Sequence, residues 1–305
     1  MTAGTLSGEF SAQPPIDPLA EDVVLRPGGS GPRRHSRAAR AVGKGLARSS
    51  GPGAAVIYLS LLVLIPIAAV ATQAFHGGWS AFWSAVHDPE SWAALKLTLL
   101  SAVIVVVVNV IAGTAIAWVL VRDQFPGKRL LGALVDLPFA LPTVIAGLTL
   151  LSLYGPDSPI HLDIANTRLA VWVALAFVTL PFAVRSIQPV LEELDLDAEE
   201  AAASLGAGSF TVFRRIVLPS LAPAMISGAA LAFARALGEY GSLVLFTSGL
   251  PFKTEVASIR IFGLFESDDN QAAAAVSLAL LVLSLAVLLV LGAWRRHLSR
   301  DEVSS

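Results

Sequence analysis

Six long apolar stretches constrain this chain more than any other feature. They span residues 54–75, 95–121, 131–154, 169–190, 222–247 and 272–294. Each exceeds the roughly 20 residues that an α-helix needs to cross about 30 Å of hydrocarbon. With 55% hydrophobic and 14% charged residues, the composition is not that of a soluble domain. The sequence therefore predicts an all-α integral membrane protein with about six transmembrane helices.

The segments that flank these stretches have a different composition. Residues 1–53 are rich in Gly, Pro, Ser, Ala and Arg and show little apolar periodicity, which predicts a disordered tail. A membrane domain of residues 54–295 and a short tail of residues 296–305 follow. The first apolar stretch could instead be a signal peptide, because Ala69-Val70-Ala71 resembles a cleavage site. Its leader and its apolar core are both too long for that interpretation.

The positive charges predict the orientation in the membrane. Sixteen of the 21 Lys and Arg residues lie in the two tails, in the second-to-third connection, or in the region from the end of the fourth stretch, with Arg185, to the start of the fifth. Lys and Arg accumulate on the cytoplasmic side of membrane proteins. Both tails are therefore predicted to be cytoplasmic, which requires an even number of crossings, and six crossings meet this requirement.

Several classes of chemistry find no support in the sequence. There are no cysteines, and the five histidines do not fall at the spacing of metal ligands. A net charge of −2 gives no indication of nucleic-acid binding. We therefore predict no catalytic residue, no metal site and no cofactor bound by this chain.

The connection between the fourth and fifth stretches, residues 195–223, is far longer than a simple hairpin requires. Asp197 followed by Glu200 resembles a capping box and predicts a short helix, which Gly206 with Gly208 would end. Ser209 is then expected to cap a second short helix over residues 210–217, which Pro219 would stop.

Two interpretations of this helix-turn-helix elbow remain open at this point. Its alanines permit close approach, so it is suited to docking in a groove of another protein. Phe213, Arg214 and Arg215 instead favour an amphipathic hairpin on the lipid headgroups.

The motif in this loop resembles the EAA signature of ABC importer permeases. The matching positions are Glu200, Ala201, Ala202, Gly206, Ile216, Leu218 and Pro219. The resemblance implies a type I ABC importer transmembrane domain, whose coupling helix inserts into a cleft of an ATPase subunit. The chain contains no phosphate-binding loop, since Gly43-Lys44 lacks the upstream glycine and the following hydroxyl. ATP and Mg²⁺ would therefore be used by a separate chain.

Further runs resemble one branch of that family, the sulfate/thiosulfate permeases of the CysT type. They are residues 137–143, 146–150, 188–194, 236–241 and 253–256. Molybdate permeases share the EAA loop and the element of residues 238–241, so molybdate or another oxyanion remains the alternative cargo.

The resemblance also implies the partners. They are two ABC ATPase subunits, a second permease of the CysW type or a second copy of this chain, and a periplasmic or lipid-anchored sulfate-binding protein. It places the complex in the bacterial inner membrane, where membrane lipid surrounds it, and it implies no nucleic-acid partner.

Two charges predicted to lie at membrane depth are candidates for the substrate pathway. Arg235 and Glu239 lie four residues apart on one face of the fifth predicted helix, which Gly238 and Gly241 would thin. They either form a structural ion pair or line a path on which Arg235 attracts a divalent oxyanion.

Two prolines could bend a helix around the same path. Pro138 and Pro142 are expected to kink the third predicted helix, either for packing alone or to shape the pathway. The resemblance implies transport by alternating access.

Two functions of other classes are less compatible with the sequence. An ion-driven secondary transporter would need acidic or histidine coupling sites in several spans, and Asp136, Arg235 and Glu239 are the residues near such depths. An intramembrane enzyme would need a nucleophile with a nearby base, and the predicted spans contain no such pair.

Overall fold

The computed structural model describes the backbone of residues 37–304 and the side chains of residues 56–297. Helices and turns make up the described chain, without strands. The helices are α1 (Arg37–Ala74), α2 (Gly78–His87), α3 (Pro89–Arg122), α4 (Lys128–Ala140), α5 (Thr143–Tyr154), α6 (Arg168–Glu193), α7 (Leu196–Ser204), α8 (Ser209–Val212), α9 (Leu218–Leu237), α10 (Gly241–Thr247), α11 (Ala257–Glu266) and α12 (Asn270–Ser304). A π-helical turn, Phe213–Val217, joins α8 to α9. The all-α prediction is confirmed.

The predicted tail of residues 1–53 lies largely outside the described residues, and α1 begins within it at Arg37. The chain divides into two compact units, and the first ends at Leu59. The second unit begins at Ser60 and contains α2 to α12, which are described below.

Within the part of the chain that the structure describes, five helices are long and apolar enough to cross a membrane. They are Val56–Ala74, Pro89–Arg122, Arg168–Glu193, Ser209–Leu237 and Asn270–His297. A sixth crossing results if the pair α4–α5, which is bent by 118°, counts as one span. The predicted number of about six is confirmed.

Contacts along α6 show that the pair α4–α5 follows the full length of that helix. Arg185, near the carboxyl end of α6, donates to Asp136 of α4 over 2.7 Å, and the Phe139 and Phe182 rings lie 5.0 Å apart. At the other end, the carbonyl of Tyr154 accepts from Ile164, just before α6 begins. The bent pair therefore contacts the second half of α6 through α4 and the segment before α6 through α5, which favours a crossing span.

The break between α4 and α5 is sharper than the kink we expected. Pro138 lies inside α4 and Pro142 caps α5, while Leu141 between the helices is extended at φ −88° and ψ 130°. A residue that precedes proline is driven out of the helical region, so Pro142 ends α4 rather than bending it.

Helices α3, α6 and α9 pack against one another at the centre of the bundle. Asn109 of α3 donates to the carbonyl of Ala176 over 3.0 Å and to Thr179 Oγ1 over 2.9 Å, both in α6. Polar side chains often join helices in this way inside membranes, because lipid offers no competing partner.

The same three helices meet most closely around Ala183 of α6. A Cβ atom on Gly113 of α3 would lie 2.9 Å from the Ala183 Cβ, and one on Gly228 of α9 would lie 3.1 Å from the Ala183 Cα. Both distances are tighter than ordinary van der Waals contact, so an added side chain at either position would push the helices apart, and the close packing of α3, α6 and α9 uses both glycines.

Candidate functional site: the elbow and the break after α9

The elbow comprises residues 196–217, and hydrogen bonds cap its first helix at both ends. Asp195 caps α7, since its Oδ1 accepts from the backbone N–H of Asp197 over 3.0 Å. Our assignment of the cap to Asp197 with Glu200 was wrong, because the chain already turns helical at Leu196. Asp197 and Glu199 then lie in the first turn, where negative charge stabilises a helix.

Gly206 forms the turn of the elbow as predicted. Its φ is +88°, a left-handed conformation that glycine adopts without steric strain. Its N–H donates to Ala203 over 2.9 Å, and the N–H of Ala207 donates to Ala202 over 3.1 Å. These two bonds form a Schellman motif, which satisfies carbonyls at the end of α7. Gly208 does not share this role, because its φ is −70° and it precedes α8 in an extended conformation.

The second half of the elbow does not stop at Pro219. Helix α8, the π-helical turn and α9 form one continuous helix from Ser209 to Leu237. In the π-helical turn, the N–H of Leu218 donates to the carbonyl of Phe213. Pro219 follows within the first turn of α9, where its missing N–H is tolerated. The elbow therefore continues directly into a span.

Some positions of the EAA signature are exposed at the surface, and others are half-buried. Glu200, Ala201 and Gly206 are exposed, while Ala202 is half-buried. Ile216 and Leu218 are half-buried at the junction with α9, and Pro219 is exposed. The exposed positions are available to a partner, whereas Ile216 and Leu218 hold the continuous helix in place.

The motif did not single out the large apolar side chains beside the Gly206 turn, which face solvent. Leu205 is 90% exposed and Phe210 is 76% exposed, on either side of the Gly206 turn. A large apolar residue on each side of a tight turn in a polar loop is the sequence signal that could have revealed them. Exposed apolar side chains rimmed by polar residues are typical of docking surfaces.

The elbow also contacts the carboxyl end of α3. Glu199 of α7 forms an ion pair with Arg122, whose guanidinium lies 5.5 Å from the centre of the Trp118 ring. The Trp118 ring meets Phe213 edge-on at 5.6 Å. Trp118 and Arg122 lie four residues apart in α3, but nothing in the sequence pairs them with Glu199 or Phe213, which belong to other elements.

The second candidate region is the break after α9. Arg235 and Glu239 form the predicted ion pair, with 2.6 Å between Arg235 Nη2 and Glu239 Oε2. Helix α9 ends at Leu237, however, so Glu239 lies beyond the helix and not on one continuous face with Arg235. Its other oxygen accepts from the N–H and the hydroxyl of Ser242 over 2.9 and 2.8 Å. Glu239 therefore joins α9 to α10.

The candidate glycines on either side of Glu239 differ in their surroundings. A Cβ on Gly238 would meet no atom within 4 Å, whereas one on Gly241 would lie 3.0 Å from the backbone nitrogen of Val144. Gly147 of α5 is equally close to α10, because its Cβ would lie 2.8 Å from the Ser242 Cα. The two short helices that follow the breaks in the third and fifth predicted spans thus pack directly on each other.

A charged cluster lies at the opposite end of α3 from the elbow. Arg260 of α11 pairs with Glu90 and, over 3.1 Å, with Asp88. Burial alone would raise the pKa of Asp88, but the hydrogen bonds from Ser91 and the charge of Arg260 hold that pKa below its ordinary value. Burial, followed by the charge of Glu90, raises the pKa of Glu255 to about 7. Glu255 therefore keeps its proton up to a higher pH than an ordinary glutamate does.

Among the described residues, no group of three or more His, Asp or Glu side chains is arranged to hold a metal ion. The prediction that this chain binds no metal or other cofactor is not tested by that arrangement.

The family model for the inner membrane component of binding-protein-dependent transport systems matches residues 109–302. A sulfate transport system permease protein CysT from Synechocystis is 44% identical over 256 residues, which are 81% of this chain and 90% of that protein. Those of Salmonella typhimurium and Escherichia coli are each 40% identical over 258 residues, 82% of this chain and 93% of each relative.

Solved structures show similarity at the level of the fold. A bacterial ABC transporter involved in import of the acidic polysaccharide alginate superposes with a TM-score of 0.65 at 16% identity, over 86% of this chain and 99% of its own. An amino acid ABC transporter superposes with a TM-score of 0.52 at 18% identity, over 71% of this chain and 98% of its own. At these identities the similarity concerns the fold alone.

Proposed function

Because the chain belongs to the family of binding-protein-dependent transport inner membrane components, we propose that it is the permease subunit of an ATP-driven sulfate importer. It is a multi-pass inner-membrane subunit without catalytic function, and it works with a separate ATPase and with a binding protein. Sulfate is the cargo in the names of the relatives that cover most of this chain.

The elbow is the observation that carries the ATP-driven part of this proposal. Its rigid turn presents Glu200, Ala201, Leu205 and Phe210 to solvent, and its second half continues into the span that contains Arg235. An ATPase cleft that encloses this surface would bury apolar side chains and would move α9 directly. We propose that closure of two ATPase subunits on ATP binding moves the elbows and opens a passage between the membrane helices towards the binding protein.

The finer assignments of partner and cargo belong to this proposal. The second permease would be a related chain of the CysW type or a second copy of this chain. Thiosulfate would share the path, since both are divalent tetrahedral anions. Both termini would lie in the cytoplasm.

Reconstitution tests the proposal. The complete transporter, purified with its ATPase and second permease, is placed in vesicles with the sulfate-binding protein, and uptake of radiolabelled sulfate is measured with and without ATP. We expect ATP-dependent uptake that excess thiosulfate reduces and molybdate leaves unchanged. Competition by molybdate alone would assign the cargo to the other oxyanion branch, and uptake driven by an ion gradient without ATP would refute the proposal.

The break after α9 is the proposed position of the substrate path. Arg235 keeps 30% of its side chain exposed while Glu239 is 1% exposed, so the accessible charge of the pair is positive. Gly238 leaves open space beside the ion pair. The breaks at Pro138–Pro142 and Gly238–Tyr240 allow the short helices α5 and α10 to move. An oxyanion would be attracted to Arg235 but bound weakly, because the guanidinium already forms an ion pair with Glu239.

A paired substitution separates this role from a structural one. Arg235→Ala alone would leave the Glu239 charge buried without its partner, which destabilises proteins by about 3–5 kcal/mol. Arg235→Met with Glu239→Gln removes both charges and retains an acceptor for Ser242. We expect this variant to assemble and to lose sulfate uptake, whereas Arg129→Met, at an exposed position on α4, should transport normally. Normal uptake by the paired variant would leave Arg235 and Glu239 as a structural pair.

A further inference from the structure

The contact between the elbow and α3 links two parts of the chain that no motif connects. Arg122 is the last residue of α3, and Glu199 lies 77 positions later in α7. Their side chains are 17% and 18% exposed, so the pair is largely shielded from water. Ion pairs in such positions hold a more defined geometry than pairs on an open surface, where solvent and side-chain entropy weaken them.

Aromatic contacts extend this link to the second half of the elbow. The Arg122 guanidinium lies against the Trp118 ring, and the same ring contacts Phe213 in the π-helical turn. A guanidinium over an indole ring is attracted by about 0.5–2 kcal/mol. We call Trp118, Arg122, Glu199 and Phe213 the elbow clamp, because they attach both halves of the elbow to α3.

The elbow clamp is important for the position of the elbow because open space lies between the elbow and α3. A cavity of about 390 Å³ lies between α7, the π-helical turn and α3, lined in part by Trp118, Glu199 and Phe213. Close packing therefore does not hold α7 against α3 across this gap. Arg122 Nε is buried without a hydrogen-bond partner among the described residues, so the guanidinium depends on Glu199 and Trp118 for compensation.

Helix α3 carries this attachment to the far end of the molecule. It runs from Pro89 to Arg122 without an internal proline, and 34 residues of α-helix span about 50 Å. At its amino end, Asp88 and Glu90 pair with Arg260 of α11. The helix thus joins the elbow at one end to the charged cluster at the other.

We propose that Arg122 and Glu199, supported by Trp118 and Phe213, are positioning residues that transmit movement of the elbow through α3 to the opposite end of the bundle. The inference rests on the proposed function, in which an ATPase moves the elbow. The chain itself connects the elbow to α6 through Leu194–Asp195 and to α9 through the π-helical turn. The clamp adds α3 as a third route, so that the three central helices move together.

The first test measures transport and ATP hydrolysis in the same vesicles. Arg122→Gln, Glu199→Gln and the double variant are compared with the unaltered transporter, and Arg122→Lys serves as the conservative variant. We expect each Gln variant to hydrolyse ATP while the sulfate imported per ATP falls about fivefold or more, the range of a coupling free energy above 1 kcal/mol. The double variant should be no worse than either single variant, because both remove the same interaction. Arg122→Lys should recover most of the sulfate imported per ATP hydrolysed. Arg129→Gln, at an exposed arginine on α4, is the matched control.

A purely structural role gives a different result. It would lower the amount of assembled transporter, and ATP hydrolysis and uptake would fall in proportion with their ratio unchanged. That outcome, or losses in the two single variants that add up in the double variant, would overturn the proposal.

The second test does not depend on the cargo. The natural chain contains no cysteine, so cysteines placed at the exposed positions Gln124 and Ala198 are the only ones this chain offers to spin labels, while cysteines of the partner subunits are removed or blocked. In the intact transporter we expect the same narrow distance distribution with and without ATP, because the clamp moves as one body. Glu199→Gln should broaden it. A distance that changes with ATP in the unaltered clamp would refute the inference even where sulfate uptake is normal. If the transporter imports no sulfate, the proposed function fails while this measurement still decides whether the clamp is rigid.

Discussion

Gly206 shows how one residue determines the shape of the elbow. Its φ of +88° places it where a side chain costs about 1–2 kcal/mol, and the two Schellman bonds around it close α7. Gly208, two positions later, has an ordinary φ of −70°, and a Cβ atom added to it would meet no other atom within 4 Å. The same substitution therefore has different consequences at the two glycines.

Gly206→Ala should let the free elbow relax out of the left-handed turn, and restoring the turn for docking would cost about 1–2 kcal/mol and weaken binding of the ATPase subunit by roughly five- to thirtyfold. Gly208→Ala is the matched control and should change binding much less. The measurement is the ATPase concentration required to saturate the purified permease. Equal weakening by both substitutions would show that the left-handed turn has no special role.

Glu255 makes the charged cluster at the amino end of α3 sensitive to pH. Its pKa of about 7 lies above the ordinary value of 4.5, so the native protein retains a proton that the unfolded chain releases. The stability that this proton contributes should therefore be fully present below about pH 4.5 and should be lost as the pH rises through about 7.

Glu255→Gln should remove this dependence, because the amide imitates the protonated carboxyl. Melting temperatures of the purified permease between pH 5 and pH 8 would show the difference, with the variant more stable than the unaltered protein at pH 8. Parallel pH profiles for the two proteins would contradict the assignment to Glu255.

At the scale of the elements, glycine decides how closely the central helices approach. Gly113 of α3 and Gly228 of α9 both lie against Ala183 of α6, whereas Gly292 of α12 has open space around it. Sequence analysis found no signal for this junction, because the closeness of a glycine to another backbone depends on the packing of distant segments.

Gly113→Leu should lower the melting temperature of the purified permease, since overpacking typically costs about 1–3 kcal/mol. Gly292→Leu, a matched substitution at a position of α12 where an added Cβ would meet no atom within 4 Å, should leave it unchanged or raise it slightly, because leucine favours helix more than glycine does. Similar destabilisation by both would indicate that the α3–α6 approach is looser than the structure shows.

The prolines show where local rules are sufficient and where they fail. Pro142 ends α4 because its effect on the preceding residue is local. Pro219 was expected to stop a helix by the same kind of rule, yet the chain continues through it. A π-helical turn changes the hydrogen-bond register there, and the packing of Val217 and Leu221 into a core shared with α6 helps to stabilise that turn.

At the scale of the whole molecule, the bent pair α4–α5 decides the topology. If it crosses, the chain has six spans and both termini share one side; if it returns to its starting side, there are five crossings and the termini lie on opposite sides. Its contacts with both ends of α6 favour a crossing.

Cysteine labelling of intact cells tests this topology. A cysteine introduced at Ser7, in the amino-terminal tail, should react with a membrane-impermeant maleimide only after the inner membrane is opened. One introduced at the exposed Asp157, after α5, should react without that step once the reagent has reached the periplasm. Protection of Asp157→Cys in intact cells would show that α4–α5 does not cross.

Sequence alone was sufficient for the membrane class, the approximate number of spans, the position of the elbow and the turn at Gly206. Each depends on interactions within about 20 consecutive residues: transfer of apolar side chains into lipid, and the backbone freedom of glycine. The break at Glu239, the close approach at Ala183 and the clamp between Arg122 and Glu199 required the tertiary structure. Each of these arises where segments distant in sequence meet, and their side chains acquire burial and partners only in the folded bundle.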